Sequence, residues 1–381
     1  MDRVRGQQAA LWQEPTGPAQ MPRCVHGASG YGLPKRPRLL SASKRTDIPA
    51  FYLEWFSRAV RRGWVDVPNP MLSGKFRKLL SAAVAHERGL PPATPAGRIA
   101  LDELMTSDAL LARKDVAASL ARTLTHVSLD PAQVTGIVWW SKNYGPYLRR
   151  VEEFAVYRRQ FFQFTINPRS PELAWLEPDV PPEQEALDQA AALAGRFGGG
   201  WVAWRYDPLV FWFENGEPRS SWEEEFFVRA CRRLRAAQIR TCVTSQVDRY
   251  RKFERRMRLL HPEKPLRDPE PGEFAGILTR MAEIASEFGI RVETCSESGV
   301  PDSCGVSAAS CIDARRFEAS TAPAADRSLG RDSCECHAHI DIGDYETQEC
   351  GYACVYCYAN PNHRLLTGGA DRQAGLPEWR Q

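Results

Sequence analysis

Cys350, Cys354 and Cys357 place three thiols in a Cys-x3-Cys-x2-Cys array, within the stretch Cys350-Gly-Tyr-Ala-Cys-Val-Tyr-Cys357. Thiolates hold both zinc and iron–sulfur clusters, so ligand softness leaves the metal open. The spacing separates the two. Zinc sites commonly take cysteines as Cys-x2-Cys pairs, with the second pair far along the chain. Three thiols this close suit three irons of a cubane. The fourth iron is then left without a protein ligand and can bind another molecule. Five more cysteines come shortly before the array: Cys295, Cys304, Cys311, Cys334 and Cys336. Four of them would suffice for a second site, which could be an auxiliary [4Fe–4S] cluster or a structural zinc. Simple burial is the other reading for Cys295 and Cys311. His337, His339 and His363 are near enough in sequence for one to support a ligand through a hydrogen bond.

The rest of the chain must position these groups. Its 381 residues, 43% hydrophobic and 25% charged, are those of a globular protein with room for a large core. A net charge of +3 does not call for a polyanionic partner, so nucleic acid is not expected. No apolar run reaches membrane-spanning length, and no apolar signal core opens the sequence. The expectation is a cytoplasmic protein whose eleven cysteines serve as metal ligands and core residues, not disulfides.

Residues 1–36, rich in Gly, Pro and Gln, read as a disordered extension, and 364–381 as a flexible tail. From Arg38 onward, strand and helix signals alternate. Strands are expected at Arg38–Ser43, Trp64–Val67, Gly136–Trp140, Phe161–Ile166, Trp201–Tyr206, Arg240–Ser245 and Ile290–Thr294. Helices are expected at about Pro49–Arg62, Pro182–Phe197, from Ser221 with Glu224 closing a capping box, and Gly272–Phe288. Such alternation implies a parallel sheet with helices outside, an α/β fold forming a complete or partial (β/α) barrel over 37–294. A helical insertion is expected at about 71–130, and a cysteine-rich segment at 295–363 lying on the barrel mouth. Asp341-Ile-Gly-Asp-Tyr345 would supply a last strand beside the first.

In a barrel, functional groups gather where strands end. Ser43-Lys-Arg-Thr-Asp47, Asn69, Ser141-Lys-Asn143, Thr165 with Asn167, Arg205-Tyr-Asp207, Ser245-Gln246 and Glu293 with Cys295 all follow expected strands. The basic run Arg249–Arg258 reads as the solvated face of a helix, with a nucleic-acid contact surface as the alternative.

The three-cysteine array, with Tyr356 just before its last cysteine, resembles the cluster motif of the radical S-adenosylmethionine (SAM) superfamily. More closely, the chain resembles a family of bacterial domain-of-unknown-function proteins. The resemblance rests on Ser41–Phe51, Cys334/Cys336, Asp341–Tyr345 and Cys350–Asn360, and covers roughly residues 38–363. Its cysteines correspond to Cys295, Cys311, Cys334 and Cys336, which makes these the expected second set; Cys304 has no counterpart. The superfamily resemblance implies a SAM-type [4Fe–4S] cluster on Cys350, Cys354 and Cys357. One electron would cleave SAM there to a 5′-deoxyadenosyl radical, with a flavodoxin or ferredoxin as donor. Tyr356 would lie against the adenine, with Lys142 and Asn143 among the other cofactor contacts. Lys44, Arg45, Lys142 and Arg205 would hold the SAM carboxylate or an anionic substrate, since a shielded carboxylate needs charge-assisted partners. Asp47, Asp207 and Glu293 would hold the ribose or adenine, or move protons. Arg205 and Asp207 read equally as a structural ion pair. The superfamily carries its motif after the first strand; here it comes late, and no Gly-Gly-Glu element follows the second strand. The alternatives are an electron-transfer or redox-sensing iron–sulfur protein, a zinc-stabilised structural or nucleic-acid-binding module, and a radical repair enzyme like spore photoproduct lyase.

Overall fold

The computed structural model describes residues 38–42, 44–69, 107–317, 334–345, 348 and 350–359, with a few positions between 79 and 89. The expected N-terminal extension, Ser43, much of the first half of the 71–130 insertion, His363 and the C-terminal tail lie outside the described residues.

Strands in chain order are β1 (Arg38–Ala42), β2 (Trp64–Pro68), β3 (Leu124–Ser128), β4 (Val134–Ser141), β5 (Gln160–Thr165) and β6 (Val202–Arg205). They continue with β7 (Phe211–Glu214), β8 (Glu217–Ser220), β9 (Thr241–Thr244), β10 (Arg291–Thr294), β11 (Ser307–Ala308) and β12 (Ile340–Ile342). Eight of them form one sheet in the order β11-β10-β9-β6-β5-β4-β1-β12, and every pairing in it is parallel. The fold is α/β.

Both faces of this sheet are covered, which is why its strands are apolar almost throughout instead of alternating. Leu40, Ile137, Trp139, Phe162, Phe164 and Trp204 face the helices. Helix Glu183–Phe197 buries Ala186, Leu187, Ala190, Leu193 and Ala194 against them, at the i, i+3, i+4 spacing of one helical stripe. Helices Glu224–Ala236 and Glu273–Glu287 repeat the device with Phe226, Phe227, Ala230 and Leu234, and with Leu278, Met281 and Ile284. The other face carries Leu39, Val138, Phe161, Ala203 and Val243, in one cluster with Cys311 and Cys336.

The structure changes four expectations. Trp64–Pro68 is not a strand of the parallel sheet. It pairs antiparallel with β3 in a separate sheet, because β3 supplies a register-matched partner from the end of the insertion. Asn69 therefore follows a strand of that smaller sheet. The helix expected over Pro49–Arg62 is divided at Tyr52 into Ile48–Phe51 and Leu53–Arg62. Ser221 forms no capping box; it is buried, and its Oγ accepts from the Val210 amide at 2.9 Å while the helix starts at Glu224. Finally, β7 and β8 make a hairpin whose Asn215-Gly216 turn has φ of 53° and 81°, the positive pair that a tight hairpin turn requires.

The last strand does lie beside the first: β12 pairs with β1 through Leu40–Ile340 and Ala42–Ile342. Among the described residues no ladder joins the two edge strands, β11 and β12. The segments next to them are linked by the His337 amide donating to the Ile312 carbonyl at 2.9 Å.

Candidate metal centres

The three-cysteine loop sits at the carboxyl end of the sheet. Cys350, Cys354 and Cys357 share one apolar cluster with Ala50, Phe51, Tyr352 and Tyr356. Five contacts fix the loop there. The Val355 amide donates to the Leu176 carbonyl at 3.0 Å. The Tyr358 hydroxyl donates to the Lys44 carbonyl at 3.0 Å. Tyr352 packs on Phe51 with ring centroids 4.6 Å apart. Buried Arg256 donates to the Val355 carbonyl at 2.6 Å and the Cys357 carbonyl at 2.8 Å. Burial pushes the thiols of Cys350 and Cys354 well up.

Asp47 stands below the loop. As N-cap of Ile48–Phe51 it accepts from the Ala50 amide at 3.0 Å, the common use of Asp at this position. Its two oxygens also accept from Ser141 Oγ at 2.8 and 2.9 Å and from the Lys142 amide at 3.1 Å. Burial drives its carboxyl up to about 7, against the pull of those donors.

Beside Cys354 lies a buried ionic knot. Lys142 Nζ donates to Glu177 Oε1 at 2.8 Å, and Asn167 Nδ2 donates to the same oxygen at 2.6 Å. The Tyr356 hydroxyl is a third donor to it. Burial by itself would neutralise the pair. The Lys142 charge and these hydrogen bonds outweigh it, so Glu177 titrates below its usual range and Lys142 above. Lys142 Nζ also lies 5.7 Å from the centre of the Tyr356 ring. A cavity of about 10 Å³, room for roughly one water, is lined by Asn167, Glu177, Tyr206 and Tyr356.

The second set of cysteines lies on the opposite face of the sheet from the helices. Parallel pairing of β10 with β11 continues in the Ala309 amide donating to the Thr294 carbonyl at 2.8 Å. This register sets Cys295 and Cys311 side by side, with sulfurs 3.4 Å apart. Ser310 Oγ donates to the Glu335 carbonyl at 2.9 Å, and with the His337–Ile312 bond it brings Cys336 within hydrogen-bond reach of Cys311. Cys334 packs against the same cluster. Arg205, also buried, donates from Nη1 to Cys311 Sγ at 3.1 Å. Its Nη2 and Nε hold Asp207 Oδ2 at 2.9 and 3.2 Å. Gln163 Nε2 donates to the Cys311 carbonyl at 2.8 Å.

Among the described residues no group of three or more His, Cys, Asp or Glu side chains is arranged to hold a metal ion as it stands. The donor chemistry of both sets nevertheless fits thiolate-ligated metals.

Comparison with protein families matches residues 39–85 and 113–359 to a domain of unknown function, DUF1848. The chain belongs to the DUF1848 family. No curated protein matches it. The two matched segments leave 86–112 outside the match. Helix Lys114–Thr123 and β3 lie within the matched residues.

The other expected site residues of this DUF1848 chain fall in three places. Lys142, Asn143 and Asp47 are at the cysteine loop, where the Asn143 side chain accepts from the Gly145 amide at 2.8 Å. Lys44 and Arg205 flank the Trp140 ring at 5.6 and 5.0 Å, on the side of the second cysteine set. Asp207 accepts from Ser245 Oγ and exchanges backbone–side-chain bonds with Asn167 at 2.9 and 3.0 Å, standing between the two sets. Arg45 turns away to the Pro68 carbonyl at 2.7 Å. Glu293 lies 3.8 Å from Arg291, and burial raises its carboxyl. His337 and His339 are occupied with Asp313 at 3.5 Å and Asp341 at 3.3 Å. Three participants were not evident from sequence. Glu177 is in a loop without periodic signal. Gln163 was concealed inside a strand that is otherwise mostly aromatic. Arg256 was hidden in a run of exposed basic residues, although Phe253 and Met257 on its turn of the helix are buried.

Proposed function

We propose that this DUF1848 protein is an iron–sulfur enzyme of radical SAM type, with Cys350, Cys354 and Cys357 holding a [4Fe–4S] cluster whose fourth iron takes SAM. The observation that carries this reading is the seat of the loop. Three thiols lie at the carboxyl ends of parallel strands, where α/β folds place their ligands, beside the buried Lys142–Glu177 pair. A structural zinc has no use for an ionised pair buried at its edge, whereas an anionic ligand that enters a shielded site does. With SAM bound, such a cluster supplies one-electron cleavage of the sulfonium.

The chain's own groups do the rest. Lys142 offers an ammonium to a carboxylate. Glu177 fixes both Lys142 and the Tyr356 hydroxyl, so the Tyr356 ring is held in one orientation for a flat aromatic partner. Arg256 ties down the Val355 and Cys357 carbonyls of the loop. We also read the sheet as a barrel closed between β11 and β12, a reading supported by the His337–Ile312 bond. No helix among the described residues is long and apolar enough to cross a membrane. We place the protein in the cytoplasm, with a flavodoxin or ferredoxin as electron donor.

Anaerobic purification, with iron, sulfide and zinc quantitation and EPR of the reduced protein with and without SAM, tests the reading. Expected is a cluster signal that SAM alters, and Cys354→Ala should remove about four irons per chain while circular dichroism is unchanged. Unaltered iron in that variant, or an EPR signal indifferent to SAM, would end it.

A further inference from the structure

We infer that Cys295, Cys311, Cys334 and Cys336 form a second, four-thiolate metal centre, with Arg205 donating to one of its sulfurs. The inference does not depend on the radical SAM reading of the loop.

Sulfurs on one tetrahedral ion with metal–sulfur bonds of about 2.3 Å stand about 3.8 Å apart. Cys295 and Cys311 are at 3.4 Å, a separation that binding to one ion would change little, whereas a cubane, with each thiolate on a different iron, would draw them further apart. Two backbone registers produce the arrangement: β10 on β11 aligns Cys295 with Cys311, and the pairing of 310–312 with 335–337 delivers Cys336. Cys334, two residues before Cys336, packs against the same cluster.

The charges agree with this. Four thiolates around a dication, or around a [4Fe–4S] core of the same charge, carry two net negative charges. Buried in an apolar cluster, they need compensation. Arg205 is buried and gives an N–H to Cys311 Sγ at 3.1 Å. Asp207 shares the Arg205 charge, and Lys44, 5.6 Å from the Trp140 ring with Nζ 3.0 Å from His339 Nε2, is a further cation on this side. The Trp140 indole N–H is buried without a hydrogen-bond partner among the described residues, and Trp140 packs against this cluster. It is a spare donor for a thiolate or a bridging sulfide. A buried guanidinium on the sulfur of a neutral thiol would be a poor arrangement; on a metal-bound thiolate it is a charge-assisted hydrogen bond.

Arg205 is thus a positioning residue, and it has a second attachment. Through Asp207, Asn167 and Glu177 it is joined by hydrogen bonds to Lys142 and Tyr356 at the cysteine loop.

The test uses the full chain with all three loop cysteines changed to Ala, purified anaerobically and offered iron with sulfide, or zinc. Expected is one metal centre per chain, lost on the further change Cys336→Ala. Iron with matching sulfide and visible absorbance identifies a cluster; zinc without sulfide identifies a single ion, and either supports the inference. No bound metal in the folded loop variant, or full metal after Cys336→Ala, overturns it. Arg205→Met in the loop variant should speed loss of the metal to a chelator by about 10- to 100-fold, with Arg205→Lys between it and the parent. Equal rates for all three would overturn the role of Arg205. If the loop reading fails and this inference holds, wild type and loop variant carry the same metal. The reverse failure leaves the loop variant empty and wild type with about four irons.

Discussion

The two cysteine regions differ in how they are assembled. The loop at Cys350–Cys357 is local: its thiols come from one short segment, clamped by side chains and carbonyls of four distant elements. The second set is non-local: its thiols come from the residue after β10, the segment after β11 and the segment before β12, and the sheet itself is the clamp. The loop is bordered by an ionised pair and a small cavity, the second set by apolar side chains and one guanidinium. A site for chemistry needs the first kind of border, because a ligand must enter and find polar partners. A site that only holds metal is better served by the second.

The contrast can be broken most sharply at Glu177. Glu177→Ala leaves Lys142 as an uncompensated buried charge, so unfolding in denaturant should show a loss of about 3–5 kcal/mol. Metal at the second set should persist below the unfolding midpoint; its disappearance under native conditions would mean that the two regions are not separable.

Asp47 comes next. Its folded-state carboxyl is raised from 3.8 to about 7, so the folded chain holds a proton that the unfolded chain has released. The stability it contributes is complete below about pH 4 and is lost as pH rises toward about 7, at most about 4 kcal/mol for a shift of this size. Asp47→Asn should flatten the stability profile between those limits. An unchanged slope would show that Asp47 is ionised throughout, held by Ser141 and the amides.

Arg256→Ala removes two charged hydrogen bonds from the loop carbonyls. It should cost about 2–3 kcal/mol and loosen the cluster proposed for the loop, read as faster iron loss to a chelator, with the proposed second centre unaffected. Cys304→Ala should do least. Cys304 is buried in the helix-side core, its thiol 3.6 Å from the Ala275 carbonyl. The expected cost is about 1 kcal/mol with metal content unchanged at both sets; loss of metal would draw Cys304 into a centre.

The same contrast explains what could be read in advance. A local array is written in its spacing, and Cys350–Cys357 was legible as such. Strand–helix alternation gave the parallel sheet and its helix stripes, since periodicity reports burial directly. Periodicity does not report a strand's partner, so Trp64–Pro68 was placed in the wrong sheet. Asn215-Gly216 carried a hairpin signal that a search for parallel units passes over. Glu177 and Arg256 act through contacts with residues far away in the chain, and no local pattern marks them.

Pairing of β12 with β1 has a topological consequence. Tyr358 reaches back 314 positions to the Lys44 carbonyl, so the cysteine loop is next to the beginning of the fold although it is near the end of the chain. Imagine the order of segments rotated so that the chain starts at β12. The same strands would run β12, loop, β1, β4, with no neighbour in space exchanged. The three-cysteine loop would then follow the first strand, the place where the radical SAM superfamily carries it. On the radical SAM reading proposed above, the late motif of this protein and an early one would be related by circular permutation.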